Sequence, residues 1–290
     1  MNKLVAGNLR AIVQQLEKNF PDNADEVFKM FGLAVKVLRH YLGEDWTNEN
    51  IFSLHRDVSK RNRAGRRYFK TEEGVPENQF RYQHRVILLA ELLFNLQEIK
   101  GVEQRVESIQ TGNLESTFAE LECASHIKQA GLNFSFVMTS GVKGQDFDID
   151  IILSSGKRVH CELKAKAEQH ELNETSIYRT LDASRKQLPV DERGVVFLKI
   201  PDEWIKQPKL ASIFQENLQK FFRQTNRVVA VVLLWEQWSF SQSVGGVVTT
   251  KFRVEINHNS QLLDKETQDM LEKLNNPSWQ SWVRFPDILR

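Results

Sequence analysis

The sequence predicts an α/β (α+β) protein in which a mixed central sheet flanked by helices follows an all-helical N-terminal domain. Three observations carry that prediction. Apolar residues recur at helical spacing over much of the first 110 positions, β-rich runs begin after residue 130, and helical stretches interrupt those runs. A chain of 290 residues lies near two domains at roughly 150 residues each. The change of rhythm puts the boundary near residues 101–112, giving domains 1–110 and 111–290. With 41% hydrophobic and 10% aromatic residues the chain can bury a substantial core, which excludes wholesale disorder.

The elements follow in order. Leu4, Leu9, Ile12, Val13 and Leu16 predict a first helix, stopped by Pro21-Asp22-Asn23. A second helix is expected over about 24–42, burying Val27, Phe28, Phe31, Val35 and Leu38, with Gly43 as its stop. From about 44 to 80 no period survives. A third helix over about 82–100 contains RVILLAELLFNLQEIKG, apolar on most faces and therefore deep in the helical layer. A fourth runs over about 114–130 and ends at Gly131. The strand-like runs are NFSFVM, DFDIDIIL, KRVHCELK, GVVFLKI, RVVAVVLLW and KFRVEI, with helices expected over about 175–188 and 210–222. Trp235, Trp238, Trp279 and Trp282 suit core packing better than base stacking.

Charge is balanced overall and uneven locally. There are 39 basic and 38 acidic side chains, of which 17 basic and 14 acidic fall in residues 1–105. This excludes a polybasic tail protein. The segment RDVSKRNRAGRRYFK, residues 56–70, concentrates seven basic residues against one acidic. Arg61, Arg63, Arg66 and Arg67 in it are suited to neutralise nucleic-acid phosphates in a salt-sensitive way; the competing reading is a solvated loop or a site for an acidic protein. Cys123 and Cys161 are too few for a disulfide framework, which points to a reducing compartment. No apolar run reaches about 18 residues and the first twenty lack a signal-peptide core. A soluble cytoplasmic protein with no membrane partner is expected. No P-loop, dinucleotide fingerprint or G-x-S-x-G occurs. His160 and Cys161 are neighbours on a strand, so they point to opposite faces and do not share a zinc ion easily.

The stretch GQDFDIDIILSSGKRVHCELKAK, residues 144–166, carries the chemistry. Two strands flank Ser154-Ser155-Gly156. Alternation sends Asp146, Asp148 and Asp150 to one face and sets Glu162 and Lys164 on one face of the next strand. A three-residue loop places Gly156 where positive φ is needed, pairs Leu153 with Lys157, and so sets Asp148 opposite Glu162 and Asp146 opposite Lys164. A two-residue loop slips the register and separates the faces. Facing carboxylates repel, and burial makes this worse. A divalent cation compensates naturally, because Mg²⁺ prefers hard oxygen ligands, one or two carboxylates and retained waters. A lysine beside it would orient or deprotonate an attacking water or stabilise developing charge.

An acidic residue on a helix, an Asp on one strand and Glu-x-Lys on the next resemble the PD-(D/E)xK nuclease superfamily, restriction endonucleases and Holliday-junction resolvases among them. The Glu-x-Lys element here is Glu162-Leu163-Lys164, and the Asp is Asp148 or Asp150. The resemblance covers about residues 114–200. The proline that names the motif is absent, Gln145 preceding Asp146. On a helical wheel Leu114, Phe118, Leu121 and Ala124 form the buried stripe with Glu120 at its edge. Glu120 is the better candidate for the helical acid, with Glu122 the alternative.

The resemblance implies a restriction-endonuclease-like sheet and a Mg²⁺- or Mn²⁺-dependent phosphodiesterase acting on nucleic acid, with DNA the favoured substrate. Asp148 or Asp150, Glu162 and the Leu163 carbonyl would hold the metal, with Glu120 as a further acidic ligand and Lys164 at the attacking water. Tyr178, Arg179, Lys186 and Gln187 fall on the next helix, where the superfamily often places auxiliary residues. The alternative is a nuclease-like fold without catalysis, serving as a nucleic-acid-binding or protein-interaction module. A protein partner for the N-terminal helical domain is a further expectation.

Overall fold

The computed structural model describes residues 2–20, 24–52, 69, 75–138, 140–142, 144–166, 170–173, 175–241, 245–277 and 282–290. The basic segment with Arg61, Arg63, Arg66 and Arg67 lies outside the described residues, as does Trp279. The described helices are α1 (Ala6–Glu17), α2 (Glu26–Leu42), α3 (Glu44–Thr47), α4 (Pro76–Leu96), α5 (Val102–Gln110), α6 (Leu114–Gln129), α7 (Ser176–Arg185), α8 (Asp202–Ile205), α9 (Leu210–Phe222), α10 (Lys265–Asn275) and α11 (Phe285–Leu289). The strands are β1 (Asn133–Phe136), β2 (Ile149–Ile152), β3 (Arg158–Ala165), β4 (Gly194–Lys199), β5 (Val228–Ser241) and β6 (Gly245–Ile256). The fold is mixed α/β with a six-stranded mixed sheet. Among the described residues no helix is long and apolar enough to cross a membrane.

Two compact units emerge, Met1–Ser125 with Ser281–Arg290, and His126–Gln280. The division falls inside α6, whereas the sequence places a boundary at 101–112. That stretch is itself helical: Val102, Val106 and Ile109 bury one face of α5.

In the first unit, Asp25 caps α2 by accepting from the Phe28 N–H at 2.7 Å, worth about 1 kcal/mol. Gly43, at φ +92°, ends it. The buried stripe runs along its C-terminal half, through Leu33, Ala34, Val35, Val37, Leu38 and Tyr41. Phe28, expected in the core, is largely exposed because it belongs to the first turn, before that stripe begins. α4 starts six residues earlier than the periodicity suggests, with Pro76 in its first turn, where a fixed φ and a missing N–H suit a helix start. It buries Val86, Leu89, Ala90, Leu92, Leu93 and Leu96.

Two amides fasten both chain ends to α4. Gln97 accepts from the Leu4 N–H and donates to the Leu4 carbonyl, each at 2.7 Å. Asn95 does the same for Val283, accepting at 2.8 Å and donating at 2.9 Å. Each amide thereby supplies a donor and an acceptor that a segment without a strand partner lacks.

In the second unit, strands lie side by side in chain order. β1–β2, β2–β3 and β5–β6 are antiparallel, while β3–β4 and β4–β5 are parallel. The parallel pairs are those whose connections contain helices, as a crossover requires. β4 and the first half of β5 are almost wholly apolar and buried, the pattern of strands covered on both faces. Ile177 and Leu181 of α7 and Phe214, Leu218 and Phe221 of α9 pack with Val196, Leu198, Val231, Leu233 and Trp204. The helices α8 and α10 carry no assignment from the sequence. α10 packs on β6, and its Glu266 accepts from the Ser155 N–H (2.8 Å) and both serine hydroxyls of the β2–β3 loop.

His126 is buried against Phe252, ring centroids 4.0 Å apart. Burial pushes its pKa down to about 4, despite a hydrogen bond with the Leu274 backbone. The unfolded chain therefore binds the extra proton between about pH 6.5 and 4, and stability falls as pH drops through that window. His126→Leu should lose about 2 kcal/mol less than the parent between pH 7 and pH 5 in urea unfolding; an unchanged pH slope would contradict this placement.

Candidate active site

The β2–β3 hairpin has the register implied by the three-residue loop. Leu153 donates to the Lys157 carbonyl at 2.8 Å, Asp150 faces His160, Ile149 faces Cys161, and Gly156 has φ +83°. His160, Glu162 and Lys164 therefore share one strand face.

β2 is shorter than expected, and this separates the three aspartates. The ladder ends at Ile149. The Asp148 N–H donates to the Cys161 carbonyl at 3.0 Å, one residue out of register. Its carboxylate instead accepts the Leu163 N–H at 2.6 Å, taking the place of a backbone acceptor. Asp148 thus sits at the Glu162–Leu163 peptide, held through the Leu163 amide.

Asp146 leaves the sheet. Its carboxylate accepts from the Ser140 N–H (2.6 Å), the Ser140 hydroxyl (2.8 Å) and the Gly141 N–H (3.2 Å). These bonds, the Ser140 amide foremost, hold its pKa below the ordinary value. The expectation that all three carboxylates line one face is corrected accordingly.

Asp150 stays on the strand but is committed elsewhere. It accepts from Arg158 at 2.8 Å and from His160 Nδ1 at 2.6 Å, while His160 Nε2 meets Glu192 at 2.6 Å. Carboxylates only accept, so both imidazole nitrogens donate and the ring is protonated. Burial alone would lower the His160 pKa; the two carboxylates outweigh it and raise the pKa.

Glu162 has no exposed surface. Lys164 Nζ lies 2.5 Å from its Oε1. Gln187, just beyond α7, completes the group in the amide orientation that satisfies both its atoms. Its nitrogen donates to Glu162 Oε1 (3.1 Å) and to the Asp146 carbonyl (3.2 Å), and its oxygen accepts from Lys164 Nζ (3.1 Å). Lys186, by contrast, pairs with Asp182 at 2.7 Å, and Tyr178 bonds Gln224.

Glu120 belongs to the first unit, where Arg105 Nε pairs with it at 2.8 Å. Glu122 is buried. Among the described residues, no three His, Cys, Asp or Glu side chains cluster closely enough to hold a metal ion. The carboxylates that the sequence nominates and the second unit gathers around the Glu162–Leu163 peptide are two, Asp148 and Glu162. Two carboxylates fall short of an all-protein cage; Mg²⁺ sites commonly use one or two with retained waters.

Gln187, one of the four residues that the resemblance places as auxiliaries after the Glu-x-Lys strand, reaches both Glu162 and Lys164. No family model, curated protein or solved structure matches the chain.

The two strand aspartates should separate by stability. Asp150→Ala leaves the buried Nδ1 of His160 and the Arg158 guanidinium without their carboxylate, with Glu192 still on Nε2, and should cost about 3 kcal/mol. Asp148→Asn keeps an acceptor for the Leu163 N–H and should cost about 1 kcal/mol. Urea unfolding of both variants checks this; equal costs would reverse the assignment of roles.

Proposed function

We propose that this protein is a Mg²⁺- or Mn²⁺-dependent phosphodiesterase acting on nucleic acid, DNA first, built on a restriction-endonuclease-like sheet preceded by a helical domain. One observation carries the reading. Glu162, a buried carboxylate, and Asp148, at the adjacent peptide, accompany the Lys164 amine 2.5 Å from Glu162 Oε1.

Asp148 and Glu162 would hold a divalent ion, which would supply Lewis-acid chemistry there. The chain's own groups do the rest. The Leu163 N–H fixes the Asp148 carboxylate. Gln187 fixes both Glu162 and Lys164, so their spacing does not depend on free rotamers. Lys164, one third exposed and lining the cleft, would orient water and offset charge on the phosphoryl oxygens. Water forms the new P–O bond, the bond to the leaving oxygen breaks, and that oxygen takes up a proton. Glu120 remains a candidate acidic ligand through the resemblance alone.

A second reading, a nuclease-like fold that binds nucleic acid or a protein without cleaving, is favoured by the same Glu162. Its Oε1 is already engaged by Lys164 and Gln187, and no third acidic, His or Cys ligand joins the pair among the described residues.

The test is cleavage of labelled single-stranded and duplex DNA with Mg²⁺, with Mn²⁺ and with chelator. Cleavage should require metal and fall by about 100-fold or more in Glu162→Ala and Lys164→Ala, with unfolding midpoints confirming that both variants fold. Full activity in both would reject the assignment. Inactivity of the parent with either metal, together with no metal binding by calorimetry, would favour the second reading.

A further inference from the structure

A cleft of about 450 Å³ opens beside Lys164 and runs along the start of α7. Lys164, Lys166, His170, Asn173, Ser176 and Arg179 supply its polar lining, and Ala165 and Ala183 leave it room. Among the described residues that line it, none is acidic. Lys166 and Arg179 reach it from different elements, the end of β3 and the second turn of α7, so their convergence is a property of the fold rather than of one charged helix face. Burial alone holds the Lys166 pKa below its ordinary value. This is the mark of a cation partly desolvated by its surroundings.

We propose that this cleft is a subsite for the phosphate neighbouring the one that reaches Glu162 and Lys164, on a single nucleic-acid strand. The assignment rests on the phosphodiesterase reading for what carries the phosphate. Lys166 and Arg179, converging beside Lys164 from two elements, suit a phosphodiester anion. The first turn of α7, which contributes Thr175 and Ser176 to the wall, adds the positive end of a helix dipole. The volume is that of a pocket for one small-molecule unit, so nucleotides enter one at a time and an intact duplex does not. Because Lys164 belongs both to the cleft and to the Glu162 pair, a strand lying in one continues into the other.

The test is fluorescence anisotropy of a labelled short oligothymidylate with the full chain in chelator, across a salt series. Lys166→Ala/Arg179→Ala should weaken binding about tenfold or more, and the slope of log K against log salt should fall by about 0.7 for each cation removed. Matched unfolding midpoints guard against a folding defect. Glu162→Ala should bind at least as tightly as the parent, since it removes a negative charge. Equal affinity and slope in the parent and the double variant would overturn the cleft, even if metal-dependent cleavage is observed. Equal competition by a duplex of the same length would overturn the single-strand assignment. Cleft-dependent binding by a protein that cleaves nothing would support the cleft while removing the phosphodiesterase reading.

Discussion

Burying the carboxylate of Glu162 on an interior strand is the most expensive feature of the second unit. An ionised group taken from water costs several kcal/mol even after relaxation, and the surrounding face is apolar, with Val196 beside Glu162 across the β3–β4 ladder. The fold answers with a cation two residues along the same face and an amide brought in from beyond α7. The amide's position depends in turn on backbone packing. Leu188, next to Gln187, sits so close to Gly194 at the start of β4 that a Cβ there would lie 2.6 Å from Leu188 Cδ1. The glycine lets the segment seat, and the seated segment holds Glu162 and Lys164.

The end of the β2 ladder has a comparable effect on Asp148. Had β2 continued regularly, the Leu163 N–H would have met a backbone carbonyl and Asp148 would have been one more strand residue. With the ladder stopped at Ile149, a side-chain carboxylate satisfies that amide. Two residues on, Asp150 is tied to Arg158 and His160 and serves the hairpin. Nearly identical local sequences, Phe-Asp-Ile and Ile-Asp-Ile, thus give one carboxylate at the Glu162–Leu163 peptide and one that braces the strands.

The parts of this arrangement that were legible in the sequence are those set by period and turn chemistry. Gly156 and the three-residue loop decide the hairpin register, alternation decides that Glu162 and Lys164 share a face, and apolar periodicity finds α2, α4 and α6. Where a segment is anchored by side chains, the sequence is silent. The Asp146 carboxylate closes on Ser140 and Gly141, which alternation alone reads as a strand position. α5 hides because its nine residues carry only one apolar face. α10 depends on the Asp264 cap and on Glu266, which reaches the hairpin loop, and no hydrophobic run announces it. Phe28 misleads because helical spacing gives a stripe's angle but not where along the helix packing begins.

Charge around the site is layered, and the layering bears on order of binding. Glu162 lies inside, while Lys164, Lys166 and Arg179 stand at or near the surface around it. An approaching anion meets the cations first, and field lines focused by the low-dielectric walls favour its entry. The inner carboxylates repel that same anion until a cation neutralises them. Lys164 pairs with Glu162 Oε1, and on the proposed reading a phosphate drawn to the rim gains from a divalent ion held by the inner carboxylates. On that reading, metal and anion binding reinforce each other, each raising the affinity for the other by the same factor.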